Sequence, residues 1–196
     1  MPSQPVDKNL IRQLLDGTIS RDDAERLLKM ERKDAERFEN YIAVLQEAVP
    51  WKDRILLRLN DKLFVVLNDN QQRVVKCACG VEFGDYRENW KLKCRVRVRK
   101  TQEQMLKVYD PAPGCPEAGW QEVREFICPC PEAAQMAVEV VPPGYPVVFE
   151  MLPDLDTFYR EVIGKPLPDQ STQWYEDRST QVTASWAAHN TDPPKH

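Results

Sequence analysis

Histidine is almost missing from this chain: there are two in 196 residues, His189 and His196, both close to the C-terminal end. That scarcity argues against a histidine general base and against an open catalytic zinc site, which wants histidine or carboxylate among its ligands. Glycine is also scarce, with seven residues. None of them falls in a G-x-x-x-x-G-K-[ST], G-x-G-x-x-G or G-x-S-x-G pattern, and there is no H-E-x-x-H. An independent nucleotide-using active site is therefore not expected. No apolar run approaches the ~20 residues of a membrane helix, and the opening MPSQPVDKN has neither the charged start nor the apolar core of a signal peptide. The expectation is a soluble, cytoplasmic protein. A basic excess is lacking too. Lys and Arg number 27 against 31 Asp and Glu, a formal charge of −4, which does not suit a surface that grips nucleic acid throughout.

What the chain does have is proline and cysteine. Sixteen prolines imply many rigid connections and few long regular elements. Six cysteines stand in a chain without an export signal, where disulfides would not normally persist. The length suits one domain, or one domain with appendages, and no internal repeat is visible.

The pattern along the chain predicts an α+β fold in three parts: a helical segment over 1–50, a β-rich domain with a zinc-ribbon-like site and a terminal helix over 51–164, and an extended or disordered tail over 165–196. Leu10, Ile11, Leu14 and Leu15 recur at helical spacing before Asp16-Gly17. Ser20 and Asp23 resemble a capping box for a second helix. Phe38, Tyr41, Ile42, Leu45 and Val49 line one face of a third. From Arg54 the period changes to two. Strands are expected around the turns at Asn60-Asp61 and Asn68-Asp69-Asn70, over Gln72 to Lys76, Trp90 to Lys100, Trp120 to Ile127, Gln135 to Val141 and Val147 to Met151. Thr101 and Gln104 resemble a cap on a short helix ending near Tyr109, and Asp154 to Ile163 reads as a helix closed by Gly164. In the tail, Trp174, Tyr175 and Trp186 interrupt a polar composition. They are either incidental or the anchors of an arm that lies on a partner.

The cysteines carry the chemistry. Cys77-Ala78-Cys79-Gly80 and Cys128-Pro129-Cys130-Pro131 are two tight pairs, each following a strand and preceding a turn residue. Four thiolates brought together by two strand ends suit a closed, structural zinc site of Cys77, Cys79, Cys128 and Cys130. C-x2-C is the commoner knuckle spacing, so ordinary buried thiols remain the alternative. A redox pair would more often be C-x-x-C at a helix start. Cys94 reads as a small hydrophobe on its strand. Cys115 is a loop thiol that could replace Cys130 as a ligand if Cys130 points away. Lys91, Lys93, Arg95, Arg97 and Arg99 would form a basic ridge by strand alternation. A solvated face is the plainest reading, and partner docking is the best functional one, ahead of phosphate or nucleic-acid contact, since no aromatics are interleaved for stacking. Asp154 and Asp156 suit a helix start better than a catalytic pair.

The order Pro50-Trp51-Lys52-Asp53, Cys77-Ala78-Cys79-Gly80, Glu88-Asn89-Trp90-Lys91-Leu92, Arg124-Glu125-Phe126-Ile127-Cys128-Pro129, Tyr145-Pro146-Val147 and Pro153-Asp154-Leu155-Asp156-Thr157-Phe158-Tyr159 resembles the acetone carboxylase gamma subunit family, from about Leu10 to Pro168. The resemblance implies a small zinc-binding, non-catalytic subunit of a cytoplasmic hetero-oligomer. In that complex, large alpha and beta subunits carry the ATP site, with magnesium and manganese. The complex converts acetone and bicarbonate to acetoacetate as ATP goes to AMP and two phosphates. Related enzymes act on aromatic ketones, so acetophenone-type substrates stay open. The family's second knuckle reads C-P-x-C-G, whereas this chain has Cys128-Pro129-Cys130-Pro131-Glu132, with one residue fewer and no glycine. The competing expectation from another class is a free-standing zinc-ribbon module that binds nucleic acid through the Lys91 to Arg99 ridge.

Overall fold

In a computed structural model of the chain, residues 6–30, 34–110, 112–149, 152–168 and 175–189 are described. They form an α+β structure with two antiparallel sheets, as the sequence pattern implies.

Three helices open the chain, α1 (Lys8–Leu15), α2 (Arg21–Lys29) and α3 (Arg37–Glu47). Asp7 caps α1 by accepting from the Leu10 amide, and Ser20 caps α2 by accepting from the Asp23 amide, so two orphan donors are satisfied locally. Val6, Leu10, Ile11 and Val44 make a small cluster that seats α1 on α3. On its other side α3 packs Leu45 against Ile55, Phe64, Val66 and Val74 of the first sheet. Gln46 fixes that docking from both ends of its amide: Nε2 donates to Trp51 O at 3.3 Å, and Oε1 accepts from the Ile55 amide at 3.0 Å.

The first sheet has strands β1 (Arg54–Arg58), β2 (Leu63–Leu67), β3 (Arg73–Cys77) and β4 (Glu82–Asp85), in that order and all antiparallel. Asn60 accepts from the amides of Lys62 and Leu63, and Asn68 from those of Asn70 and Gln72, so both expected turns are held by asparagine side chains. Every residue of β2 is buried, because this sheet is covered on both faces. Phe64 and Val66 face α3, while Leu63, Val65 and Leu67 face the main core with Phe83, Trp90, Phe126, Met136, Leu155 and Tyr159. The second sheet has strands β5 (Arg95–Arg99), β6 (Glu122–Ile127) and β7 (Gln135–Val141), also antiparallel. Between β5 and β6 lies α4 (Gln102–Leu106), with the complete Thr101–Gln104 capping box.

Several expectations change. Trp90–Lys93 is a 3-10 turn, not the start of a long strand: the Asn89 side chain accepts from the Lys91 amide and closes the chain locally. Only Arg95–Arg99 enters the ladder, and β4 is a strand the period-two pattern did not reveal. Val147–Phe149 pairs with no strand among the described residues. The Val148 amide donates to Glu139, and its carbonyl accepts from Lys91, so side chains replace a neighbouring strand. Met151 lies outside the described residues. The helix α5 (Leu155–Thr157) continues as a π turn over Phe158–Val162 before Gly164 at φ 71°. The tail contains a helix, α6 (Ser179–His189), within the segment expected to be extended or disordered. Its start is tied back, with Ser179 Oγ accepting from the Asn89 amide at 2.8 Å and the Arg178 amide donating to Arg87 O at 2.9 Å. Tyr175 is exposed; Trp174 and the Trp186 side chain lie outside the described residues.

Two long-range polar links lock α5 and its extension onto the first sheet. Arg73 makes a bidentate pair with Asp156, at 2.6 and 3.1 Å, with both side chains buried. Tyr159 Oη donates to Leu56 O at 2.8 Å. Asp154 caps α5 through the Thr157 amide and Asp156 lies in its first turn, both as expected, but Asp156 has a further role as the counter-ion of Arg73. Asp156→Asn removes the charge of this bidentate buried partner and is predicted to lower unfolding free energy by about 3–5 kcal/mol in a urea titration. Replacing both partners, Arg73→Met with Asp156→Leu, is expected to recover most of that loss.

Candidate metal centre

The two cysteine pairs sit at the ends of strands from different sheets. β3 ends at Cys77, and β6 runs into Cys128. The first loop is tight. The Cys77 amide donates to Val81 O and the Gly80 amide to Cys77 O, both at 2.8 Å. Gly80 closes it at φ 101°, a conformation that excludes side-chain-bearing residues. The second loop is wider, with the Cys128 amide donating to Ala134 O at 2.9 Å and the Ala133 amide to Cys130 O at 3.0 Å. Ala133 takes the left-handed turn at φ 48°, in a loop that lacks a glycine.

These loops bring Cys77, Cys79 and Cys128 together, with their sulfurs all within 4.8 Å of one another. The Cys79 and Cys128 sulfurs are 3.7 Å apart. Cys77 and Cys128 are buried and Cys79 is exposed. Cys130 is buried as well, and its thiol interacts with those of Cys79 and Cys128, but it is not part of the close triplet. Such a group of thiols can hold a metal ion. Cys115 stands apart, accepting from Gln102 Nε2 at 3.1 Å. Cys94 is half-buried, packed against the main core, with its sulfur 3.8 Å from Trp90 O.

The protonation pattern follows from burial. Burial pushes the Cys77 and Cys128 thiols up, and Cys94 is pushed to about 12 for the same reason. Cys79 goes the other way. Its partial burial is outweighed by the Val81 amide and the three neighbouring thiols, which together favour its thiolate.

Sequence reasoning missed the support beneath the first loop. Trp51 Nε1 donates to Cys77 O at 3.0 Å and to Ala78 O at 3.1 Å, satisfying loop carbonyls. Its ring receives Lys76 Nζ at 5.5 Å from the centroid, and Lys76 is paired with Asp53 and with Glu82. The signal was present in Pro50-Trp51-Lys52-Asp53, where a tryptophan follows a helix stop, but its target lies across the fold. The expected five-residue basic ridge is also corrected. Lys91 is buried against Glu139 at 3.1 Å, Lys93 pairs with Glu88 at 2.6 Å, and only the arginines of β5 share a strand face. Ala133→Gly is predicted to raise stability by about 0.5–1 kcal/mol in denaturant unfolding, since relief of a left-handed alanine exceeds glycine's entropic cost.

Residues 49–163 match the family model described as acetone carboxylase gamma subunit. The chain is also 41% identical over 170 residues to the acetone carboxylase gamma subunit of Xanthobacter autotrophicus (strain Py2), an alignment that covers 84% of this chain and 96% of the relative. The matched region contains both cysteine loops, Trp51 and the Arg73–Asp156 pair, so the structural core and the thiol cluster fall inside the shared sequence. The chain belongs to the acetone carboxylase gamma subunit family.

Proposed function

We propose that this chain is the small zinc-binding subunit of a cytoplasmic ATP-dependent acetone carboxylase, and that it braces large alpha and beta subunits without carrying the chemistry. The observation behind the reading is the thiol cluster at the junction of two sheets. Two sulfurs each about 2.3 Å from one tetrahedral zinc are about 3.8 Å apart, and the Cys79–Cys128 separation is 3.7 Å. Cys77, Cys79, Cys128 and Cys130 are the ligands in this reading. Cys130 completes the set by a small movement of the wider second loop, while Cys115 is engaged with Gln102. An all-thiolate set leaves zinc no open position for substrate, so the ion braces structure. The partner subunits then hold ATP, magnesium and manganese, and supply the base and the phosphoryl transfer that make acetoacetate from acetone and bicarbonate. The three-part organisation, with helices over 1–50, the metal-braced core over 51–164 and the tail from 165, gives the small subunit separate surfaces for two large neighbours.

Purified complex is expected to contain about one zinc per copy of this chain by elemental analysis, under the four-thiolate rule; iron in its place would exclude zinc as the resident ion. Zinc added back to the chelated protein should release thiol protons in a weakly buffered titration. Cys77→Ala should remove the metal and abolish co-purification with the large subunits; an intact complex with unchanged zinc would contradict the bracing role. A carboxylation assay with acetone and with acetophenone then assigns the ketone.

A further inference from the structure

We infer that β5 is a docking edge, and that an extended segment of a large partner subunit, alternating acidic and apolar residues, adds to it as a fourth strand. This rests on the proposal that the chain is a carboxylase subunit.

The second sheet has two edges, and they differ. At β7 the chain folds back, with Val148 bonded to Glu139. At β5 four of the five residues are exposed and the fifth is half-buried; among the described residues its paired neighbour is β6 alone. An edge of this kind presents backbone donors and acceptors ready for another strand. Its two faces have opposite character. Val96 and Val98 share one face and are 47% and 37% exposed. Arg95, Arg97 and Arg99 share the other. Among the described residues the one carboxylate paired with them on that face is Glu125, held at 2.8 Å by Arg99 and 3.9 Å from Arg97, so three guanidinium groups outnumber it. Guarding charges alone would explain the arginines, but not the two valines left in water beside them.

Alternation defines the occupant. A strand added to β5 sets its own side chains opposite those of β5 on each face, so apolar residues meet Val96 and Val98 while acidic residues meet the arginines. A second copy of this chain fits poorly. Antiparallel self-pairing that matches valine with valine also sets arginine against arginine, and like charges directly opposed are destabilising. The edge is also coupled to the metal centre, since Arg95 donates to Pro129 O at 2.8 Å, between Cys128 and Cys130. A metal that orders the second loop thereby orders the start of the docking strand.

The test is hydrogen–deuterium exchange on the free chain and on the co-expressed complex, together with a Val96→Lys, Val98→Lys double variant. Amides of Arg95 to Arg99 should exchange at least about tenfold more slowly in the complex. The double variant should keep the zinc content and thermal unfolding of the free chain, because both sites face solvent, yet lose at least about tenfold in recovery with the large subunits. Unchanged exchange at β5 in a wild-type complex, full assembly of the double variant, or a β5-protected homodimer of the free chain would each overturn the docking edge. If the wild-type chain assembles with no large subunit at all, the subunit reading itself falls, a result separate from the others.

Discussion

The contact on which most of the structure depends is the meeting of thiols from two sheets that share no strand pairing. β3 delivers Cys77 and Cys79, β6 delivers Cys128 and Cys130, and each strand belongs to a different ladder. Apolar burial brings the sheets together through Phe83, Trp90, Phe126 and Met136, but burial is non-directional and sets no register between layers. The thiol cluster does set one. It fixes the end of β3 against the end of β6, and Asn60 adds a second tie by donating to Met136 O at 3.1 Å. With both points pinned, the inner face of the first sheet has one orientation toward the second.

Buried charge has a comparable role at the other end of the core. Arg73–Asp156 and Lys91–Glu139 are both shielded from water. Such pairs stabilise little in net terms, since desolvation offsets much of the attraction, but each makes wrong partners costly. Arg73 accepts one placement of α5, the one that also puts Tyr159 within reach of Leu56 O. Lys91 reaches both Glu139 and Val148 O, so one ammonium holds the 3-10 turn, β7 and the segment after Gly144 in register. The side chains that look like surface charge in the sequence are in several cases the ties between elements.

That difference marks what was legible beforehand. Features decided within a few residues were readable: the Ser20 and Thr101 caps, the Asn60 and Asn68 turns, the α3 stripe, the cysteine pairs with their strand-terminal positions. The misreadings share a cause. Trp90 to Lys100 alternates apolar and basic residues as a strand should, yet Asn89 captures the Lys91 amide and Glu139 captures the Lys91 side chain, one a local competitor and the other 48 residues away. β4 is short, Glu82–Asp85, with a glycine inside it, and it exists because β3 offers it an edge. Asp156 lies in the first turn of α5, as its sequence context implies, but its pairing with Arg73, 83 residues away, is not visible there. Trp51 stands by a helix stop and serves a loop on another strand. Of the site itself, the identities of the cysteines were visible, while the close triplet and the set-back position of Cys130 depend on loop widths that spacing alone does not give.

The layered arrangement explains how so small a chain can be both well packed and incomplete at its margins. Three apolar clusters stack in sequence, from α1 on α3, to α3 on the first sheet, to the first sheet on the core shared with the second. Burial is deepest in the middle tier, where every residue of β2 is covered, and it fades toward the ends. Among the described residues α2 has none that is fully buried, and β5 is open along its length. Helix α6 is short for an isolated helix in water at eleven residues, and its start is tied back to the core through Ser179. A thiol-linked centre with lightly covered ends places the tightest packing where two sheets must be aligned and leaves the outer elements free to gain their remaining cover from neighbours.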